Sequence, residues 1–335
     1  MKTSRKVLLI GGAGYIGSVM TNYLLDKGWQ VRCFDQLIYE NQTCVSCFWG
    51  HPQYEFVFGD LTDPEQLKPA LDGIDNVVIL AGLVGDPITK KYPEKSQKIN
   101  LDGILQVIRS LNGKGLNRVI FVSTCSNYGM IESDTTADEN FELNPLSLYA
   151  KAKVAIEHEL LALKGLVDYH ATILRFATAF GLSPRMRFDL TVNEFTREMF
   201  LGRELLIYDA ETWRPYCHVR DFSRAINLVL QAPEEQISFE VFNAGGAINN
   251  FNKQAVVEKI LQHFPNAPVK YKEQGSDPRN YKVNFSKIKN VLGFEPEYTI
   301  GDGIAELIGA LQQNIFPVSK NNAIFTIITK LRTPK

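Results

Sequence analysis

Seven residues near the start of the chain, Gly11-Gly12-Ala13-Gly14-Tyr15-Ile16-Gly17, constrain its fold more than any other stretch. They follow the apolar run Lys6–Ile10 directly and open a segment with helical spacing, Val19, Met20, Tyr23 and Leu24. Glycines between a buried strand and a helix allow a tight turn. They also let a pyrophosphate approach backbone amides where the helix dipole favours negative charge. Gly11, Gly14, Tyr15, Ile16 and Gly17 are therefore candidate dinucleotide contacts. A glycine cluster alone also fits a turn with no ligand, but here the next apolar run ends in Asp35, placed to accept hydrogen bonds from adenosine ribose hydroxyls. That carboxylate repels a ribose phosphate and Gln36 supplies no cation, so the pattern favours NAD over NADP. Asp60, after a third apolar run, reads equally as an adenine cap or as a turn aspartate.

Apolar runs rich in β-branched residues recur at Lys6–Ile10, Gln30–Phe34, Tyr54–Phe58, Asn76–Leu80, Arg118–Ser123 and His170–Phe176, with amphipathic stretches between most of them. Strands apolar on both faces, alternating with helices, predict a Rossmann-type doubly wound parallel sheet in an α/β protein. After Gly181 the texture changes to longer loops broken by Pro184, Pro215, Gly245–Gly246, Pro265 and Pro268. The expected organisation is a dinucleotide-binding domain over 1–178 and a smaller C-terminal substrate-binding lobe over 179–315. A segment near 216–246 returns to the sheet, and 316–335 forms a tail.

With 335 residues, 45% of them hydrophobic, and a formal charge of -1, the chain has no basic stripe, which argues against a nucleic-acid partner. The apolar stretch Ala323–Ile328 is far shorter than the ~20 residues needed to span a bilayer. A cytoplasmic protein with no membrane partner is expected. Five cysteines, an odd number, suit a reducing compartment. Cys44 and Cys47 form a lone CxxC near His51, without the second ligand pair that zinc usually takes, and are read as free thiols, so no metal is expected.

Tyr149 and Lys153 lie four apart in a segment whose apolar stripe is Leu148, Ala152, Ala155, Ile156 and Leu160, so they share one helical face. A tyrosine of pKa ~10 is a poor base at neutral pH, and a neighbouring ammonium favours its phenolate. This spacing also occurs by chance on surface helices. Ser123-Thr124-Cys125-Ser126-Asn127-Tyr128-Gly129, just past the fifth strand, adds weight, because ligands in open α/β sheets bind beyond the carboxyl ends of strands. Thr124 is then placed to hydrogen-bond the reacting oxygen.

Taken together, the glycine loop, Asp35, Gly59-Asp60, Leu80-Ala81-Gly82, Asn100, the segment from Ser123 to Gly129, Tyr149 with Lys153, Leu174-Arg175-Phe176, the run from Arg214 to Val219 and Asp277-Pro-Arg279-Asn-Tyr281 make the chain resemble the extended short-chain dehydrogenase/reductases of the nucleotide-sugar epimerase/dehydratase family. The resemblance covers nearly the whole chain. It implies catalytic roles for Thr124, Tyr149 and Lys153, the last two also touching NAD. It extends the cofactor contacts to Leu61, Leu80, Ala81 and Gly82. It implies that Arg214 and Arg279 grip the diphosphate of a nucleotide sugar, as a guanidinium fork suits. Asn193 is a further candidate for that diphosphate, and the alternative for both arginines is a structural ion pair. A homodimer through helices near 95–112 and 147–164 is also implied.

Departures from the family pattern narrow the reaction. Relatives that eliminate water carry Asp-Glu straight after the catalytic threonine, whereas this chain has Cys125 and Ser126. Relatives that epimerise beside a ketone carry a cysteine two before the motif tyrosine, where Ser126 stands. What remains is redox at one sugar carbon, expected to be C4, ending either in epimerisation or in net oxidation or reduction. The stretch Arg175–Arg187 and the loop Ser46–Phe48 are similar to a bacterial subgroup that includes GDP-heptose 4-dehydrogenases. A non-catalytic NAD-binding protein and a reductase of non-nucleotide substrates are the competing readings.

Overall fold

The computed structural model describes residues 5–131, 135–273, 275, 277 and 279–316. The expected tail beyond Phe316, with its apolar run, lies outside the described residues. A seven-stranded sheet forms the centre, made of β1 (Lys6–Ile10), β2 (Gln30–Asp35), β3 (Tyr54–Phe58), β4 (Asn76–Ile79), β5 (Arg118–Thr124), β6 (His170–Phe176) and β9 (Glu240–Ala244). Its spatial order is β9-β6-β5-β4-β1-β2-β3, and every neighbouring pair is parallel.

Sequence explains this centre directly. Val7, Leu8, Leu9 and Ile10 of β1 are fully buried, as are Val77, Val78 and Ile79 of β4, because helices cover both faces. Each such Leu, Ile or Val contributes roughly 1.5–3 kcal/mol relative to exposure. The order reverses at β1: the chain moves outward through β2 and β3, then returns to β4 on the other side of β1. The carboxyl ends of β1 and β4 thus open a crevice, the usual ligand position in such sheets.

Two helices border this crevice. α1 (Tyr15–Asp26) begins inside the glycine loop and buries Met20, Leu24 and Leu25 against the sheet. α2 (Leu148–Ala162) starts at Ser147, whose hydroxyl accepts from Ala150 N at 3.2 Å and so caps it. Beyond β6, a three-stranded sheet joins β7 (Thr178–Phe180), β8 (Trp213–His218) and β10 (Asn250–Asn252), and α3 (Thr191–Phe200) packs beside it. β8 continues directly into α4 (Val219–Gln231). Phe222 of α4 stacks on Phe176 with centroids 3.8 Å apart, and Asn227 accepts from the Trp29 indole at 2.9 Å. These contacts tie the later half of the chain to the sheet. No described helix is long and apolar enough to cross a membrane.

Candidate active site

A cavity of about 500 Å³ lies over the β1/β4 crevice, lined on one side by the glycine loop and on the other by residues from 176–191 and 214–281. Gly11 turns with φ +83°, and a Cβ there would stand 2.7 Å from the Ala81 backbone. At Gly17 a Cβ would stand 2.6 Å from the Gly12 carbonyl, so only glycine lets α1 start this close to the loop. Gly14 is the N-cap of α1 and no side chain caps it, so the first turn, which lines the cavity, keeps its amides free of a side-chain cap. This is a cradle for a phosphate, and the residues fit a dinucleotide.

Asp35 accepts from Ala13 N at 3.0 Å and from Leu37 N at 2.8 Å, which fixes the loop to the end of β2. Burial raises its pKa against these bonds. Asp60 accepts from the amide and hydroxyl of Thr62 at 2.8 and 2.9 Å, a turn aspartate that also lines the cavity. Leu61, Leu80, Ala81 and Gly82 line the same wall. Asn100 holds the next residue, Leu83, from behind: its side-chain amide accepts from Leu83 N at 2.7 Å and donates to Leu83 O at 2.9 Å.

Thr124, Tyr149 and Lys153 all face this cavity, Thr124 from the end of β5 and the other two from successive turns of α2. The Thr124 hydroxyl accepts from Ser126 N at 3.1 Å. Lys153 is buried, its Nζ 5.6 Å from the Tyr149 ring centroid, and it donates to Val122 O at 2.7 Å. Burial lowers its pKa to about 7, with Glu157 opposing.

Glu157, one turn further along α2, belongs to no motif in the sequence, yet it supports the site. It is fully buried, accepting from the Ser123 hydroxyl, from Asn127 at 2.8 Å and from the Nη2 and Nε of Arg175 at 2.7 and 3.0 Å. Its one signal in the sequence is an acid at i+4 from Lys153 within the apolar stripe of Ile156 and Leu160. Cys125 is buried, its thiol donating to Arg175 O at 3.2 Å, and burial pushes its pKa up. It neither lines the cavity nor offers a thiolate. Ser126 does line it, 3.2 Å from the Tyr281 hydroxyl.

At the far side Arg214 and Arg279 converge on Asp277. Arg279 binds it through its Nε–Nη2 edge, one bond to each carboxylate oxygen at 2.7 and 2.8 Å, and Arg214 Nη2 stands 3.2 Å away. Burial opposes the charge, but the Arg279 bonds and both cations hold the Asp277 carboxyl well below the usual range. The two arginines thus share an ion-pair partner while bordering the cavity. The expectation for Asn193 requires correction. It is fully buried, accepting from Gly181 N at 3.0 Å and donating to Tyr15 Oη at 3.2 Å and Arg187 O at 2.9 Å. Its amide is consumed in holding α3 to the glycine-loop helix and does not line the cavity, where Leu190 and Thr191 stand instead. Among the described residues no group of three or more His, Cys, Asp or Glu side chains is arranged to hold a metal.

A dinucleotide cradle, a tyrosine and lysine on one helix, and a paired set of arginines around one cavity define an oxidoreductase-type α/β site. The sequence model of the NAD dependent epimerase/dehydratase family matches residues 7–245, and the chain belongs to that family. A UDP-glucose 4-epimerase of Corynebacterium glutamicum is 26% identical, with 88% of this chain and 92% of the relative covered. Among solved structures, a dTDP-glucose 4,6-dehydratase of Bacillus anthracis in complex with NAD superposes with a TM-score of 0.81 at 26% identity, covering 93% of this chain and 97% of that one. A Thermotoga maritima UDP-glucose 4-epimerase with UDP-glucose gives the same TM-score at 25% identity, covering 93% and 100%. The chain is an NAD-dependent enzyme of this family.

Proposed function

We propose that this protein oxidises a nucleotide-diphosphate sugar at C4 and, in its net reaction, epimerises that carbon. The observation that carries the reading is the placement of Thr124, Tyr149 and Lys153 on one cavity with the glycine loop and with Arg214 and Arg279. NAD, when bound, supplies the hydride acceptor and, in reverse, the donor. Tyr149 takes the C4 hydroxyl proton as the alcohol becomes a ketone and returns it when the ketone is reduced. Thr124 hydrogen-bonds the same oxygen, and the Lys153 ammonium favours the Tyr149 phenolate. Reduction on the opposite face of the ketone inverts the carbon. Arg214 and Arg279 hold the diphosphate, with Asp277 setting the angle of their forks. Elimination of water is disfavoured, since Cys125 is withdrawn from the cavity and Ser126 is no acid or base.

Net oxidation to the 4-ketone is the second reading. It is supported by the stretch Arg175–Arg187, similar to GDP-heptose 4-dehydrogenases, whose Arg187 lines the cavity. Incubation of the purified protein with UDP-, GDP-, CDP- and dTDP-sugars, followed by NMR, separates the two. Inversion without net NADH is expected, and stoichiometric NADH would overturn the epimerase. Tyr149→Phe is expected to lower turnover by about 10²–10⁴-fold while NAD affinity measured by calorimetry stays unchanged. Full residual activity would refute the assigned role.

A further inference from the structure

Four arginines line the cavity, and three have carboxylate partners among the described residues: Arg187 with Asp189 at 2.6 Å, and Arg214 and Arg279 with Asp277. Arg185 differs. It is 8% exposed, its Nε is buried without a hydrogen-bond partner, and no carboxylate of a described residue forms an ion pair with it. Its guanidinium lies over the Tyr39 ring, 4.3 Å from the centroid. Asp189 and Asp35 are felt electrostatically but neither forms an ion pair with it: Asp189 is paired with Arg187 at 2.6 Å, and Asp35 accepts from the amides of Ala13 and Leu37. A buried cation without an anion costs several kcal/mol, so a ligand anion is the natural complement.

The loop that carries Arg185 is fastened to the first turn of α1. The Ser183 hydroxyl donates to Tyr15 O at 2.7 Å, lies 3.1 Å from Ser18 Oγ, and accepts from Arg185 N at 3.3 Å. The uncapped α1 N-terminus and a buried, unpartnered guanidinium thus border one cavity, held together by Ser183. The geometry points to Arg185 as a ligand to the pyrophosphate of NAD, contributed by a segment some 170 residues after the glycine loop. The assignment adds to the cofactor site and is independent of which sugar reaction takes place. Cofactor binding then couples the β1/β4 crevice to the loop leading into α3.

The test is calorimetry on nucleotide-stripped protein with NAD, ADP-ribose and adenosine, comparing the parent with R185M and R185K. R185M is expected to weaken NAD and ADP-ribose by roughly 10- to 100-fold, the worth of a charge-assisted hydrogen bond, and to leave adenosine unchanged. R185K keeps the charge but loses the fork, and should fall between. Should R185M fail to fold, R185K carries the test with the same order of effects. Unchanged NAD and ADP-ribose affinities overturn the proposal. So does an equal loss for adenosine, which lacks the phosphates. Intact NAD affinity with weakened UDP and GDP binding overturns it in favour of a substrate anion.

Discussion

Lys153 sits one turn from Tyr149 with its Nζ committed to Val122 O, and the burial that fixes it there also makes its charge expensive. Its pKa falls from about 10.5 to about 7, burial dominating and Glu157 opposing. An unfolded lysine keeps its proton to pH ~10.4. Between about pH 7 and pH 10 the unfolded chain therefore binds more protons than the folded one, and this residue makes stability rise with pH across that window. Urea denaturation of cofactor-free protein at pH 7 and pH 9 should show a rise in the parent that Lys153→Met lacks. An equal rise in both would show that the lysine is not its source. The same poise leaves the ammonium responsive to an anion beside it, as a Tyr149 phenolate would be.

At the scale of the element, α2 carries the Tyr149 and Lys153 turn on top of a buried ion pair. Glu157 and Arg175 are both nearly inaccessible, and Arg175 also donates to Tyr128 Oη and Glu139 O, each at 3.0 Å. Glu157→Gln leaves that guanidinium with an uncompensated charge and is expected to cost about 3–5 kcal/mol in chemical denaturation. A loss under 1 kcal/mol would mean that solvent reaches the pair. The strands are legible in the sequence because a parallel strand buried on both faces reads as a continuous apolar run; β1 and β6 fall where that pattern puts them. The helical face of Tyr149 and Lys153 is legible from spacing. Glu157 is not, since its partners Ser123 and Arg175 come from two other strands that only folding brings together. The pairing of Asp277 escapes for a related reason: only in the fold does its carboxylate accept from both the amide and the guanidinium of Arg279 while Arg214 of β8 comes within 3.2 Å. Linear proximity misplaces Asn193: two residues along a helix rotate a side chain by about 200°, so Thr191 faces the cavity and Asn193 faces Tyr15.

Across the whole molecule, the cavity is where two sets of elements meet without sharing a sheet. The glycine loop, β4 and β5 form one wall, and Arg214, Asp277, Arg279 and Tyr281 form part of the other. A ligand that binds only the folded state stabilises it with the logarithm of its concentration over Kd, by about 2.7 kcal/mol at a hundred times its Kd. The proposed layout makes two such increments separable. NAD should raise the melting temperature through the first wall and the loop at Arg185, and UDP or GDP should add a second rise through the arginines at Asp277. Arg279→Ala is then expected to keep the NAD increment and lose most of the nucleoside diphosphate increment in thermal-shift measurements. If that substitution removed the NAD increment instead, the diphosphate-holding arginines and the cofactor cradle would be one site, and the division of the cavity into two walls with separate ligands would fail.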